Sequence, residues 1–131
     1  MVIDSSALLA LLANEPDAEQ FAEAIEAATT RCMSAASLLE TAIVIEARYG
    51  PAGGHKLDEL LTTAQIQIEP VTMEQITIAR LGFRTFGKGR HPASLNFGDC
   101  FAYALARLLD EPLLFKGNDF SQTDVAVAIT H

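Results

Sequence analysis

Met1-Val2-Ile3-Asp4-Ser5-Ser6-Ala7-Leu8-Leu9-Ala10 places an apolar strand, an acid and the start of a helix within one short run. Val2-Ile3 begins the strand, Asp4 stops it, and Ser5 and Ser6 lead into Ala7 to Ala13, whose composition is helical. A strand feeding straight into a helix is the opening unit of an α/β fold.

The rest of the chain repeats the alternation. Pro16, Asp17, Glu19 and Glu23 form an acid-rich helix start, with Phe21, Ala24, Ile25 and Ala28 as the apolar stripe. Arg31 to Ala35 reads as a second strand. Ser37 is positioned to cap the next helix, with Glu40 closing a capping box and Ile43, Val44 and Ala47 continuing an inward stripe. Gly50-Pro51 ends that helix, and Gly53-Gly54 opens another around Leu57, Leu60 and Leu61. Ile66, Ile68 and Val71 alternate as a strand. A helix from Met73 to Phe86 precedes a glycine-bearing loop, Gly87 to Asn96. Phe97 to Leu109 is an apolar helix stopped by Asp110-Glu111-Pro112, followed by a buried strand Leu113-Leu114-Phe115, a turn at Gly117-Asn118-Asp119, and a last strand from Val125 to Ile129. The pattern predicts a single α/β domain over residues 1–131, with a mostly parallel sheet flanked by helices on both faces. In such sheets ligands gather beyond the carboxyl ends of the strands.

With 131 residues, half of them apolar, the chain can build a core without disulfides or structural zinc. Cys32 and Cys100 have no metal or redox spacing and are expected as buried thiols. The start lacks the basic and long apolar segments of a signal peptide, and no uncharged apolar stretch is long enough to span a membrane, so a soluble, cytoplasmic protein is expected. A net charge of −8 argues against a nucleic-acid partner, but its distribution is uneven. Arg80 to Gly98 holds Arg80, Arg84, Lys88, Arg90 and His91 and no acid.

Four acids keep apolar company. Asp4 follows the first strand and Asp119 follows the Leu113 strand by a turn, which puts both on the ligand-binding edge. Glu40 and Asp99 fall in the first turns of helices whose stripes continue through Ile43, Val44 and Ala47, and through Ala102, Tyr103 and Ala106. Singly, each has an ordinary role as a cap, a capping-box acid or a turn residue. Together they can converge above the sheet, at a cost. Two carboxylates about 4 Å apart repel by roughly 4 kcal/mol at an effective dielectric of 20, so such a cluster takes up protons or binds a cation. Oxygen donors without His or Cys select Mg²⁺ or Mn²⁺ over zinc. Such a cation suits phosphodiester hydrolysis and requires no covalent residue. Ser6 is a supporting candidate, by bonding a ligand or a water, and equally a capping serine.

These residues resemble the PIN-domain ribonucleases, and within them the VapC-type toxins of bacterial toxin–antitoxin pairs. The resemblance rests on Met1-Val-Ile-Asp-Ser-Ser6, Ser37-Leu-Leu-Glu40, Phe97-Gly-Asp-Cys-Phe-Ala-Tyr-Ala104 and Leu114-Phe-Lys-Gly-Asn-Asp-Phe120, and covers nearly the whole chain. It implies a metal site with Asp4 and Asp99 as principal ligands, completed by Glu40 and Asp119 directly or through water. It also implies endonucleolytic cleavage of tRNA or rRNA, a homodimer, and a cognate antitoxin whose C-terminal segment packs over the site. Asp124 is left as an outer or structural acid.

Lys88 and Arg90, in the glycine-bearing loop, are candidates for holding RNA phosphates; Arg80 and Lys116 are weaker ones. His55, His91 and His131 share no ligand spacing. Phe97, Phe101, Tyr103, Phe115 and Phe120 are expected in or near the core rather than as a base-stacking platform. Leu8, Leu9, Leu11 and Leu12 exceed one narrow helical face, which suits two-sided burial or an interface. A haloacid-dehalogenase phosphatase needs a second Asp where Ser6 stands. A receiver domain needs an Asp where the Ile66-Ile68 strand ends in Glu69-Pro70. The remaining alternative is a PIN-like module that binds RNA or protein without cutting.

Overall fold

Successive residues of three of the chain's strands serve opposite cores, and that alternation organises the fold. The computed structural model describes residues 1–129. Its elements in order are β1 (Val2–Ile3), α1 (Ser5–Leu12), α2 (Ala18–Ala27), β2 (Cys32–Ser34), α3 (Ala35–Tyr49), α4 (Pro51–Thr63), β3 (Gln67–Glu69), α5 (Met73–Phe86), α6 (Phe97–Leu109) and β4 (Leu113–Leu114), with a 3₁₀ turn at Phe120–Gln122. The four strands pair in the order β3-β2-β1-β4, all parallel.

Val2 lies in register with Cys32 and Leu113, and Ile3 with Leu114. The period of two sends Val2, Cys32 and Leu113 into a core with Ala102, Leu105 and Phe120. It sends Ile3, Met33 and Leu114 into a core with Leu8, Phe21, Ile45 and Leu57. Helices α1 to α4 therefore cover one face, and α5 with α6 the other, as expected for a parallel sheet. Leu8 is buried in the α1–α4 core, and Leu9, Leu11 and Leu12 pack half-buried against the same core.

The bounds of α5 and α6 match the sequence reading, and β3 is shorter, with Val71 outside it and 37% exposed. Three local readings are corrected. Ser34, not Ser37, caps α3 by accepting from the Ala36 N–H, because the helix starts directly off β2; Ser37 falls inside it and forms no capping box with Glu40. The inward face of α3 is consequently Ser37, Thr41 and Ile45, while Ile43 is 60% exposed and Ala47 is also exposed. Helix α4 starts at Pro51, ahead of the glycine pair, since proline at N1 needs no partner for its nitrogen. The last strand reduces to one parallel bridge between Leu113 and Val127, held by Leu113 N–H to Ala126 O at 2.9 Å and Ala128 N–H to Leu113 O at 3.0 Å. His131 lies outside the described residues.

One glycine sets the spacing of the second layer. A Cβ at Gly82 of α5 would overlap the buried Tyr103 ring of α6. Gly82→Ala is therefore expected to destabilise the protein by about 1–3 kcal/mol through overpacking, read as a lower urea midpoint at unchanged m-value. An unchanged midpoint would show that the two helices separate freely.

Candidate active site

The chain steps from β1 to β2 to β3 on one side, then crosses to place β4 on the other side of β1. This reversal opens a crevice beyond the carboxyl ends of β1 and β4, the switch point at which open α/β sheets bind ligands. Asp4 stands there directly after β1. It is 3% exposed, and it caps α1: Oδ2 accepts from the Ser6 N–H at 3.0 Å and the Ser6 hydroxyl at 2.6 Å. Oδ1 is buried without a hydrogen-bond partner. The Ser6 oxygen in turn accepts from the Lys116 N–H at 2.9 Å, tying the loop after β4 to Asp4.

Glu40 reaches the same region from α3. Its Oε1 accepts the Ser5 hydroxyl at 2.6 Å, and a Cβ at Gly98 would overlap its carboxylate, so the first turn of α6 lies against it. Asp99 sits one residue further along α6, in a capping box with Asn96: Asn96 N–H donates to Asp99 Oδ2 at 3.0 Å, and Asp99 N–H donates to Asn96 Oδ1 at 2.9 Å. Asp119 is exposed at the head of the 3₁₀ turn.

Charge couples these groups. Burial raises the Asp4 carboxyl above its ordinary pKa; the Ser6 bonds counter part of the rise, and Glu40 adds to it. Burial, reinforced by the charges of Asp4, Asp119 and Glu40, pushes Asp99 up to about 7, against the lowering effect of the Asn96 N–H. Among the described residues, no three His, Cys, Asp or Glu side chains close on one point as a metal cage. The quartet is an electrostatic cluster rather than a closed one. Its oxygen-only chemistry, mutual repulsion and partnerless Asp4 Oδ1 all fit a hard divalent cation.

Ser5, Asn96 and Gly98 join the site without having been singled out in the sequence. Asn96 could have been found, because Asn-x-x-Asp before an apolar run is a capping-box signal. Ser5 and Gly98 act through contacts distant in sequence.

Arg80, Arg84, Lys88 and Arg90 line a groove of about 800 Å³ against Asn96 and Phe97, next to the Asp99 cap. His91 has a local role instead: its Nδ1 accepts from the Ala93 N–H at 3.0 Å and its ring meets Phe86 edge-on. Lys116 pairs with Glu15 and Asp17. Asp124 accepts from the Tyr103 hydroxyl at 2.8 Å and lies 3.8 Å from Arg107, a structural tether; burial and that bond push the Tyr103 phenol up to about 12. Phe115, Phe120 and Tyr103 are buried as expected, but Phe97 is 80% exposed, because the N1 position of α6 points off the sheet-facing stripe.

A parallel α/β sheet with carboxylates at its switch point defines a class, and comparison with known proteins identifies it. A PIN domain profile matches residues 1–126, and the chain belongs to the PIN-domain family. Within that family its relatives are VapC ribonucleases. Ribonuclease VapC30 of Mycobacterium tuberculosis is 56% identical over 126 residues, 96% of either chain. The crystal structure of M. tuberculosis VapC20, described as a sarcin-ricin loop cleaving toxin, superposes with a TM-score of 0.79 at 17% identity, covering 98% of this chain and 97% of that one. A chain of a toxin–antitoxin complex from Klebsiella pneumoniae gives a TM-score of 0.73 at 17% identity, over 96% and 94%. No helix among the described residues is long and apolar enough to cross a membrane.

The raised Asp99 pKa sets a pH signature. The unfolded chain loses this proton near the ordinary value of 3.8, whereas the folded chain keeps it until about 7. The folded state thus binds more protons in between, and Asp99 lowers stability progressively as pH rises through that window. Without divalent metal, Asp99→Asn is expected to match the parent protein's melting temperature below pH ~4 and to exceed it increasingly up to pH ~7. A variant less stable than the parent at neutral pH would make Asp99 a structural acid.

Proposed function

We propose that the chain is a Mg²⁺-dependent endoribonuclease toxin of the VapC type, active on tRNA or rRNA in the cytoplasm as a homodimer and neutralised by a cognate VapB-type antitoxin. The observation that carries this reading is the carboxylate quartet at the β1/β4 switch point, with Asp4 Oδ1 buried and partnerless and Asp99 raised to about 7. Asp4 and Asp99 would hold the cation, with Glu40 and Asp119 completing the site directly or through water; Mn²⁺ fits the same donors. Bound there, the cation supplies Lewis-acid polarisation of a phosphodiester and lowers the pKa of a water nucleophile.

The chain's own residues supply position. Ser6 fixes Asp4 by one oxygen, Asn96 fixes Asp99 by one oxygen, and Ser5 fixes Glu40. For Asp4 the bond leaves Oδ1 without a partner and free to meet a cation. Lys88 and Arg90, which line the groove beside Asn96, would meet RNA phosphates. Two observations support a protein partner: the toxin–antitoxin complex among the structural neighbours, and exposed Leu39 and Ile43, one turn apart on α3 beside Glu40. The homodimer rests on the family resemblance.

The test is cleavage of total tRNA and rRNA by purified protein with Mg²⁺, with EDTA, and by Asp99→Asn and Ser5→Ala variants. Cutting is expected with Mg²⁺ alone, abolished by EDTA and by Asp99→Asn, and reduced about 10- to 100-fold by Ser5→Ala, the usual cost of losing a residue that orients a ligand. Folded, metal-bound protein that cuts no RNA would make the chain a binding module instead.

A further inference from the structure

Four of the chain's nine Lys and Arg residues line the groove between α5 and α6, although the chain carries 17 acids and a net charge of −8. Arg80, Arg84, Lys88 and Arg90 are all exposed, and among the described residues none forms an ion pair. No Asp or Glu occurs from Gln75 to Gly98. Charge complementarity therefore calls for a polyanionic occupant.

The groove is also aromatic. Phe97 stands at its end, 80% exposed, propped edge-to-face on Phe101 with ring centroids 5.0 Å apart, and Phe83 lines the same groove. Leaving a Phe in water forfeits the gain of burying its ring. Phe97 is two residues from Asp99, and its neighbours Asn96 and Gly98 touch the carboxylates of Asp99 and Glu40. Whatever stacks on Phe97 is at the edge of the acid cluster.

Cations in a row beside an accessible aromatic ring are the two elements that bind single-stranded nucleic acid, one taking the phosphates and the other a base. Arg80 and Arg84 lie one helical turn apart, about 6 Å along the axis. A duplex keeps its bases stacked internally and offers no face to Phe97. An acidic peptide could meet the cations, but it would bring no phosphate to the neighbouring carboxylates.

We propose that this groove is a subsite for an unpaired RNA strand, with Phe97 stacking on a base next to the scissile phosphate and the Arg80, Arg84, Lys88 and Arg90 track holding the phosphates that lead away from it. This rests on the reading of the acid quartet as an RNA-cleaving site. It adds Phe97 as a residue that positions the substrate and selects unpaired over paired RNA.

The test separates binding from cutting by placing every variant on the Asp99→Asn background. The probe is a short unstructured RNA carrying 2-aminopurine at successive positions, compared with the same strand in a duplex. Quenching at one position is expected with Phe97 present, lost in Phe97→Ala and retained in Phe97→Trp. Phe97→Ala should weaken single-strand affinity about 5- to 150-fold and leave weak duplex binding unchanged. Arg84→Ala with Arg90→Ala should lower the salt slope of binding by about 1.4. Equal quenching by Phe97→Ala overturns the proposal. So does a Phe97→Ala variant that is monomeric where the parent is a dimer, which would assign the face to a second copy. Displacement of the RNA by poly-glutamate without any position-specific quenching overturns it in favour of an acidic protein. If stacking is found but the parent protein cuts nothing, the groove binds an unpaired strand but the nuclease reading, and with it the scissile position, is overturned; intact cutting without stacking overturns the Phe97 subsite alone.

Discussion

Burial raises the pKa of Asp99 and of Asp4, and neighbouring charge adds to it: Asp4, Asp119 and Glu40 act on Asp99, and Glu40 acts on Asp4. Asp4 is buried and Glu40 and Asp99 are half-buried beside it, and the parts around them serve to keep them there. Repulsion of this kind is relieved by protons or by a cation. The fold supplies the opposing force from hydrophobic burial: β1 and β4 are buried on both faces, so the chain positions that carry Asp4 and the loop to Asp119 are set by cores in which the acids take no part. A site under electrostatic strain is built on the most rigid strands available, and its cost is met by packing elsewhere.

The ordinary and the functional readings of these acids turn out to be compatible. Asp4 does cap α1, and Asp99 does close a capping box on α6. Capping uses one carboxylate oxygen and fixes the rotamer, leaving the other oxygen directed by the helix rather than by solvent. A helix N-terminus also tolerates negative charge, since its unpaired N–H groups and dipole favour an anion. Two of the four acids are therefore held where backbone electrostatics offset part of their mutual repulsion. Glu40, mid-turn in α3, has no such help and takes its donor from Ser5 on another helix.

What could be read from the sequence follows from how local the determining interactions are. The ends of α5 and α6 were legible because Thr72 and Asn96 cap them locally and Gly87 and Asp110 close them. The strand–acid–helix unit at Asp4 was legible because two buried residues and a cap suffice to define it. The start of α3 was misread because Ser34 and Ser37 both suit a cap, and only the pairing of Ser34 with Glu69 shows where β2 stops. That misreading put Ile43 on the wrong face. Phe97 was expected in or near the core because it heads the apolar stripe of α6, whereas its place at N1 turns it off the sheet-facing side. The convergence of the acids was legible as an expectation from strand ends; the Ser5–Glu40 bond and the Gly98 contact were not, since neither leaves a periodic trace.

An acidic protein that handles a polyanion must separate its charges, and helix layers on opposite faces of the sheet provide the means. The described residues place Glu15, Asp17, Glu19 and Glu23 along the α1–α2 side, where Lys116 is neutralised by Glu15 and Asp17. The cations of α5 and its following loop lie on the other layer with no acid among them. Beyond roughly a Debye length of 8 Å at physiological salt the acidic side is screened, so a strand in the α5–α6 groove feels the local cations more than the net charge. The carboxylate cluster lies at the end of that positive track. On the proposed reading, field and fold act in one direction: the groove would attract the phosphate chain, and the acids at its end would tolerate a phosphate once a cation had neutralised them.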